Sequence, residues 1–502
     1  MRSTASDVLI RIGKAIICLG ILSLFLAFSP VMNPGLAAPG SCGSETGLPD
    51  QLILSWTEDP LTTQTISWRS RADGAARERV QYLPAADFGG SFDGAREVAG
   101  ERCDLYDGHL RFKATLRGLN PGTSYVYRVG REGNWSEPAL FTTAAAADRF
   151  SFLYMGDVQG GYGSWGEMLK RAAAENPGLK FALMGGDLVG EGNSREEWQQ
   201  FLAASSPVFS RLPLMPAVGN HDDADLFRKY FAIPCNGPEG GEDLIYSFDY
   251  GSAHFVVLNS NKNADETVNR WLREDLRNTD KTWKFAVFHH PAYPVVDDYK
   301  GIDESIRRNW VPLLEQYGVD MVFVGHQHVY MRTRPLREGR IRPDGEGVVY
   351  VMGNAGTKYY GPGLDRDYMA KQVAWISNYQ VIDIDGDTLT MTARDADGQV
   401  IDSYTIVKRR SGGAAGEAAA PPQEAASPNG AANEERNAGG GAGASGMEHC
   451  GEQVARLLEY FGMEAEASLC LRSGAPIGLD APKMVLPVGM LAGLFFAFSP
   501  LM

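Results

Sequence analysis

The chain has 502 residues, 44% of them hydrophobic, and a formal net charge of −15. That length calls for two or three packed units, and the apolar share is ordinary for a soluble globular protein. The acidic balance, with no clustered Lys or Arg, argues against nucleic acid as a partner and leaves a small-molecule substrate or a cell-surface role.

Residues 1–40 read as an export signal: Arg2, Arg11 and Lys14 precede a charge-free run over residues 15–32, followed by small residues at Ala37 and Ala38. The alternative reading is an uncleaved membrane anchor, because the run approaches the roughly 18 apolar residues that span a bilayer. Export implies a secreted, periplasmic or cell-surface location and makes disulfides chemically permissible. The pairs expected are Cys42 with Cys103 and Cys450 with Cys470, leaving Cys235 free.

Residues 41–146 are strand-like, with Leu52-Ile-Leu-Ser-Trp56, Thr65-Ile-Ser-Trp68, Val80-Gln-Tyr82 and Tyr125-Val-Tyr-Arg-Val129 separated by turn residues such as Asn120-Pro-Gly122. Short alternating runs with frequent turns predict an all-β sandwich. The stretch from Leu119 to Val129 resembles the fibronectin type III pattern, which implies a tyrosine pinning a strand corner.

Over residues 147–408 apolar strands alternate with helical patterns. Trp165, Met168, Leu169 and Ala172 share one helical face, Val268, Trp271 and Leu272 another, and Ile306, Trp310, Leu313 and Leu314 a third. The rhythm predicts an α/β layered domain. Residues 409–446 are nearly all Gly, Ala, Pro, Ser, Glu and Asn, too poor in apolar groups to offset the entropy of ordering, and read as a linker. Residues 447–483 form a small cysteine-containing segment. Residues 484–502 carry no charge and read as a hydrophobic tail able to anchor the chain to a membrane. The oligomeric state is not legible.

Five apolar runs in the α/β region end in a polar group of ligand type. They are Phe152-Leu-Tyr-Met-Gly-Asp157, Phe181-Ala-Leu-Met-Gly-Gly-Asp187, Met215-Pro-Ala-Val-Gly-Asn220-His221, Phe285-Ala-Val-Phe-His289-His290 and Met321-Val-Phe-Val-Gly-His326-Gln-His328. Ligands gather at the carboxyl ends of strands in such sheets, so these loops can converge. Glycine precedes four of the groups, expected to allow backbone angles that a Cβ opposes. Two Asp, one Asn and three His mix oxygen and imidazole donors, which suits divalent Zn, Mn or Fe, and they are too many for one tetrahedral zinc. Two metals clamp the entering and leaving oxygens of an in-line phosphoryl transfer.

These ordered motifs, with His289-His-Pro-Ala-Tyr293, resemble those of the calcineurin-like metallophosphoesterases. The preceding sandwich and His328-Val-Tyr330-Met-Arg332 resemble the purple acid phosphatases among them. The resemblance implies a layered β-sandwich metallophosphoesterase domain with helices outside, preceded by the all-β fibronectin type III-like sandwich. It implies two divalent metal ions, Mn, Zn or Fe, with Asp187 bridging both. Asp157 and His328 would hold the first ion, and Asn220, His289 and His326 the second. His221 would face the substrate, with His290, Tyr330 and Arg332 as pocket candidates. The implied reaction is hydrolysis of a small phosphate ester by attack of a metal-bridging water, most simply on monoesters. The alternatives are diester hydrolysis on nucleotides or lipid head groups, and a non-catalytic surface binding protein.

This chain departs from the purple enzymes in having Gly190 where they carry a metal-bound Tyr. Gln159 stands where the wider family often has a His, so its carbonyl oxygen is the expected remaining ligand. Asp298 and Tyr299 occupy the place of a His pair in plant-type enzymes.

Overall fold

The computed structural model describes residues 47–71, 77–104, 109–240, 244–296, 301–363 and 365–408. The expected signal, linker, cysteine segment and tail lie outside the described residues, as do Cys42, Cys450, Cys470, Asp298 and Tyr299. Cys103 and Cys235 are free, the latter exposed, and the expected pairing of Cys103 with Cys42 falls outside the described residues. Among the described residues no helix is long and apolar enough to cross a membrane.

Among the described residues nine strands make the first unit: β1 (Asp50–Ser55), β2 (Gln64–Arg71), β3 (Arg79–Pro84), β4 (Arg96–Ala99), β5 (Glu101–Asp104), β6 (His109–Leu116), β7 (Ser124–Arg131), β8 (Asn134–Trp135) and β9 (Ala139–Thr142). One sheet runs β1-β2-β6-β5; the other runs β4-β3-β7-β8, with β9 on β7. Alternate side chains such as Ile66, Trp68, Phe112, Tyr125 and Tyr127 fill the space between them. The expected corner is present: the Asn120 N–H donates to the Tyr125 hydroxyl at 2.9 Å.

The second unit begins with β10 (Arg149–Met155), β11 (Leu179–Met184), β12 (Leu214–Pro216), β13 (Tyr246–Tyr250), β14 (Ala253–Val257), β15 (Trp283–Val287) and β16 (Met321–Val324). It continues with β17 (Tyr330–Thr333), a short pair β18 (Leu336–Arg337) and β19 (Arg340–Ile341), then β20 (Val349–Met352), β21 (Met369–Val373), β22 (Asn378–Asp385), β23 (Thr388–Asp395) and β24 (Val400–Val407). Two mixed sheets result, β12-β11-β10-β22-β23-β24 and β13-β14-β15-β16-β20-β17-β21. Within them β10-β11-β12 and β14-β15-β16-β20 are parallel, which points their carboxyl ends one way.

The period of two along each strand builds three layers of core. On β10, Phe152 and Tyr154 face the second sheet, while Leu153 and Met155 face helices. Between the sheets Phe152 stacks on Phe181 with centroids 5.2 Å apart, and the edges of Phe255 and Phe285 close on Phe152. Each such aromatic pair adds about 0.5–1.5 kcal/mol beyond its area.

Helices α1 (Tyr162–Glu175), α2 (Arg195–Phe209) and α3 (Ala224–Tyr230) cover one outer face. Helices α4 (Glu266–Asn278), α5 (Ile302–Asn309) and α6 (Val311–Gln316) cover the other. The third apolar face expected from the sequence is thus divided between α5 and α6 at Trp310.

The sandwich and the layered domain share core. Trp56 packs on Phe181, Phe248 and Tyr250, and the Tyr127 hydroxyl donates to the Ser210 carbonyl at 2.7 Å.

Candidate metal centre

Six strand ends meet at one rim. Asp157 follows β10, Asp187 follows β11, Asn220 and His221 follow β12, and His289 follows β15. His326 and His328 lie between β16 and β17, and Asn354 follows β20. Asp157 and Asn354 pair directly as a parallel bridge.

The glycines before these groups act differently from expectation. Of Gly156, Gly186, Gly219 and Gly325, only Gly186 has a positive φ, at 91°. At Gly219 and Gly325 the requirement is room: an added Cβ would lie 2.1 Å from Oδ1 of Asp187 and 2.1 Å from Oδ1 of Asp157, respectively. The left-handed backbone falls instead on the polar residues, with φ of 33° at Gln159, 50° at Asp187, 76° at His326 and 45° at His328. Such angles cost on the order of 1–3 kcal/mol each in an L-residue and persist where the surroundings over-determine them.

Two donor groups result. In one, Nε2 of His289 lies 3.1 Å from Oδ2 of Asp187, 3.1 Å from Oδ1 of Asn220 and 3.3 Å from Nδ1 of His326. Ligand atoms of Asp187, His289 and His326 all fall within 4.8 Å of one another. In the other, Oδ2 of Asp157 lies 3.7 Å from Nε2 of His328. Oδ1 of Asp157 accepts the His326 N–H at 2.7 Å, whereas Oδ2 is buried with no hydrogen-bond partner.

Neighbouring groups fix which ring nitrogens are free. The Gly185 carbonyl can only accept, so Nδ1 of His289 carries a hydrogen at 2.9 Å and Nε2 is the nitrogen left for a metal once its own proton is given up. Nδ2 of Asn354 donates to the carbonyls of Lys358 and Gly356, which turns Oδ1 toward Nδ1 of His328 at 3.1 Å. His328 therefore keeps its Nε2 lone pair. Asp222 braces the loops by accepting the N–H groups of Leu188 and Gly219.

Electrostatics follow from dryness and proximity. Burial drives the Asp157 carboxyl up to about 7, with the His289 charge opposing and Asp187 reinforcing. Burial also opposes charge on Asp187, but the charge and hydrogen bond of His289 outweigh it and hold that carboxyl below the usual range. On His289 burial works against the proton, yet the charges of Asp187 and Asp157 raise it to about 9. His326 and His328 fall to about 3, mainly by burial, aided by the charges of His289 and Lys358 respectively.

An unpartnered buried carboxylate oxygen is costly unless a cation or donor meets it. Dry carboxylates, an amide oxygen and imidazoles converging within a few ångströms, with His289 releasing its Nε2 proton on binding, form a donor set suited to Mn, Zn or Fe. The residues present therefore fit a divalent pair.

The structure corrects three expectations. Gln159 turns Nε2 to Oδ2 of Asp187 at 2.5 Å, and its Oε1 accepts from Nζ of Lys358 at 2.8 Å, so the oxygen expected as a ligand is taken by the lysine. Tyr330 and Arg332, expected at the pocket, are engaged in a contact between sheets. Two residues apart on β17, they face the same way, and both bond to Asp402 of β24, tying the two sheets together. His290 is buried behind the site, with Nδ1 2.8 Å from Oγ of Ser260 and its ring 4.4 Å from that of His326. His221 is exposed at the mouth, and its N–H donates to Oδ1 of Asp187 at 2.8 Å. The sequence reading missed Asn354, although Tyr350-Val-Met-Gly-Asn354 has the same apolar-run, glycine and polar pattern as the rest. It also missed Lys358, for which no local signal exists.

Comparison with known proteins agrees with this geometry. The family described as calcineurin-like phosphoesterase matches residues 150–330, and the purple acid phosphatase N-terminal domain matches residues 49–143. An uncharacterized protein of Mycobacterium tuberculosis is 27% identical over 57% of this chain and 62% of its own length. Acid phosphatase type 7 of Mus musculus is 29% identical over 57% of this chain and 71% of its own. The chain thus spans less than two thirds of the mycobacterial relative. The solved structure of a purple acid phosphatase from yellow lupin (Lupinus luteus) seeds superposes with a TM-score of 0.61 at 18% identity, covering 72% of this chain and 74% of its own, which establishes the fold. The chain thus carries a purple acid phosphatase N-terminal domain followed by a calcineurin-like phosphoesterase domain.

Proposed function

We propose that this chain is an exported phosphoesterase with a dinuclear metal centre, acting on phosphate monoesters. The observation that carries the reading is the convergence of Asp187, Asn220, His289 and His326 around Nε2 of His289, beside the unpartnered Oδ2 of Asp157. The similarity to acid phosphatase type 7 supports monoesters as the substrate class. Export rests on the charged start and apolar run of residues 1–40.

Asp157, His328 and Asp187 would hold one ion, and Asp187, Asn220, His289 and His326 the other. When bound, a divalent pair supplies the Lewis acidity that makes a nucleophile at neutral pH and neutralises phosphoryl charge. The chain's own residues do the rest. Asn354 and the Gly185 carbonyl set the tautomers of His328 and His289. Gln159 and the His221 N–H fix both oxygens of Asp187. In its doubly protonated form the exposed His221 would keep Nδ1–H on the Gly190 carbonyl and pass the Nε2 proton to the leaving oxygen.

Purified protein loaded with Mn and assayed on aryl monoesters and diesters tests the reading. Turnover of monoesters well above diesters is expected. Preference for diesters would move the assignment to phosphodiesterase, and phosphate-free binding with no turnover would leave a surface binding protein.

A further inference from the structure

We propose that Lys358 is a substrate-binding residue of this centre, supplying the positive charge that distinguishes a monoester dianion from a diester monoanion. The inference rests on the phosphoesterase reading above and deepens it.

Lys358 lies on the loop after β20, far from any of the sequence motifs, yet its ammonium is turned back onto the site. Nζ bonds to Oε1 of Gln159 at 2.8 Å, and that amide's other end holds Oδ2 of Asp187. The same ammonium lies 5.9 Å from the ring centre of Tyr360, which is itself 4.8 Å from the ring centre of His328. One cation is thereby placed next to partners of both donor groups.

The placement is built by the fold. The Lys358 carbonyl accepts from Nδ2 of Asn354, the residue that orients His328. The N–H groups of Ala355 and Gly356 donate to the Asp157 carbonyl. Thr357 packs against Gly161 so closely that a Cβ there would lie 2.4 Å from its side chain. The backbone at position 358 is therefore anchored to the first ligand loop, while the side chain stays exposed.

The ammonium's partner is the telling feature. Among the described residues it bonds to a neutral amide oxygen and pairs with no carboxylate. A charged phosphoryl oxygen is the better acceptor, because an ammonium attracts an opposite charge at hydrogen-bond distance more strongly than it attracts a neutral amide oxygen. Substrate can therefore draw Nζ from Gln159, and a dianion gains more from the exchange than a monoanion.

Inorganic phosphate binding to the metal-loaded protein, measured by calorimetry alongside metal content, tests this. Lys358→Gln should keep both metals and weaken phosphate by about tenfold, the loss of one charge-assisted bond, whereas Lys358→Arg should retain most of the affinity. On esters the Gln variant should raise KM for monoesters more than for diesters, with kcat little changed. Unchanged phosphate affinity in the Gln variant would overturn the proposal. So would loss of metal together with affinity in both variants, which would make Lys358 a support for Gln159 and Asp187. If the unaltered protein binds neither phosphate nor metals, the phosphoesterase reading itself fails.

Discussion

The main-chain carbonyl of Gly190 accepts a hydrogen bond from Nδ1 of His221 at 2.6 Å. A carbonyl cannot donate, so this contact puts the proton on Nδ1 of the neutral ring and leaves Nε2 to face a substrate. The amide of Gly190 is used as well, donating to Oε2 of Glu197 at 2.7 Å. A position that holds a metal-bound tyrosine in the purple enzymes here orients the catalytic candidate.

Replacing His221 by Ala should leave both metals bound and lower turnover by roughly 10²–10⁴-fold, the range for loss of a general acid. The drop should shrink on substrates with good leaving groups such as nitrophenolate. Equal losses on good and poor leaving groups would show that His221 stabilises charge instead of donating a proton.

Asp187→Ala should remove metal binding and activity together. Its two oxygens meet the His289 ring, the Gln159 amide and the His221 N–H, so the carboxylate is shared by the whole centre. Metal analysis finding two equivalents still bound to the variant would refute the bridging role.

The protein should be colourless in the visible and carry two divalent ions. The purple of related enzymes arises from charge transfer between tyrosinate and ferric iron, and Gly190 offers no phenol. The hydroxyl of Tyr162 is engaged by Glu197 at 2.6 Å. A strong green absorption with bound ferric iron would contradict this expectation and direct attention to Tyr360, whose ring packs on His328.

A pH-dependent part of stability should come from His254, outside the metal centre. Its ring is buried between Asp249, 2.7 Å from Nδ1, and Asp275, 2.8 Å from Nε2, with Lys281 beyond Asp249. Burial opposes the proton, but the hydrogen bonds and charges of the two aspartates outweigh it and raise His254 to about 9. A folded value above the unfolded one, near 6.5, means that this contribution is complete below about pH 6.5 and is lost as pH rises through about 9. It is worth on the order of 2 kcal/mol. The stability gap between wild type and His254→Asn should therefore narrow from pH 6 to pH 10 in denaturant titrations. A constant gap would mean the ring is neutral throughout.

The convergence of the candidate donors was legible because its signal is local. An apolar run, a glycine and a polar residue declare a strand end, and parallel strands bring such ends together. Asp157, Asp187, Asn220 and His326 followed that rule, His289 and His328 stood at such ends without the glycine, and Asn354 obeyed the rule unnoticed. What lies across from a side chain is a different kind of information. A period of two shows that Tyr330 and Arg332 share a face, but only the packing of one sheet on the other shows that Asp402 waits there. Gln159 and Lys358 stand 199 residues apart, and their bond exists because two loops close on each other at the rim. His254 is an ordinary strand residue until β13 and α4 bring Asp249 and Asp275 against it. Hydrophobic patterning and turn chemistry act over a few residues, whereas hydrogen-bond partners are chosen by the tertiary fold after those elements have packed.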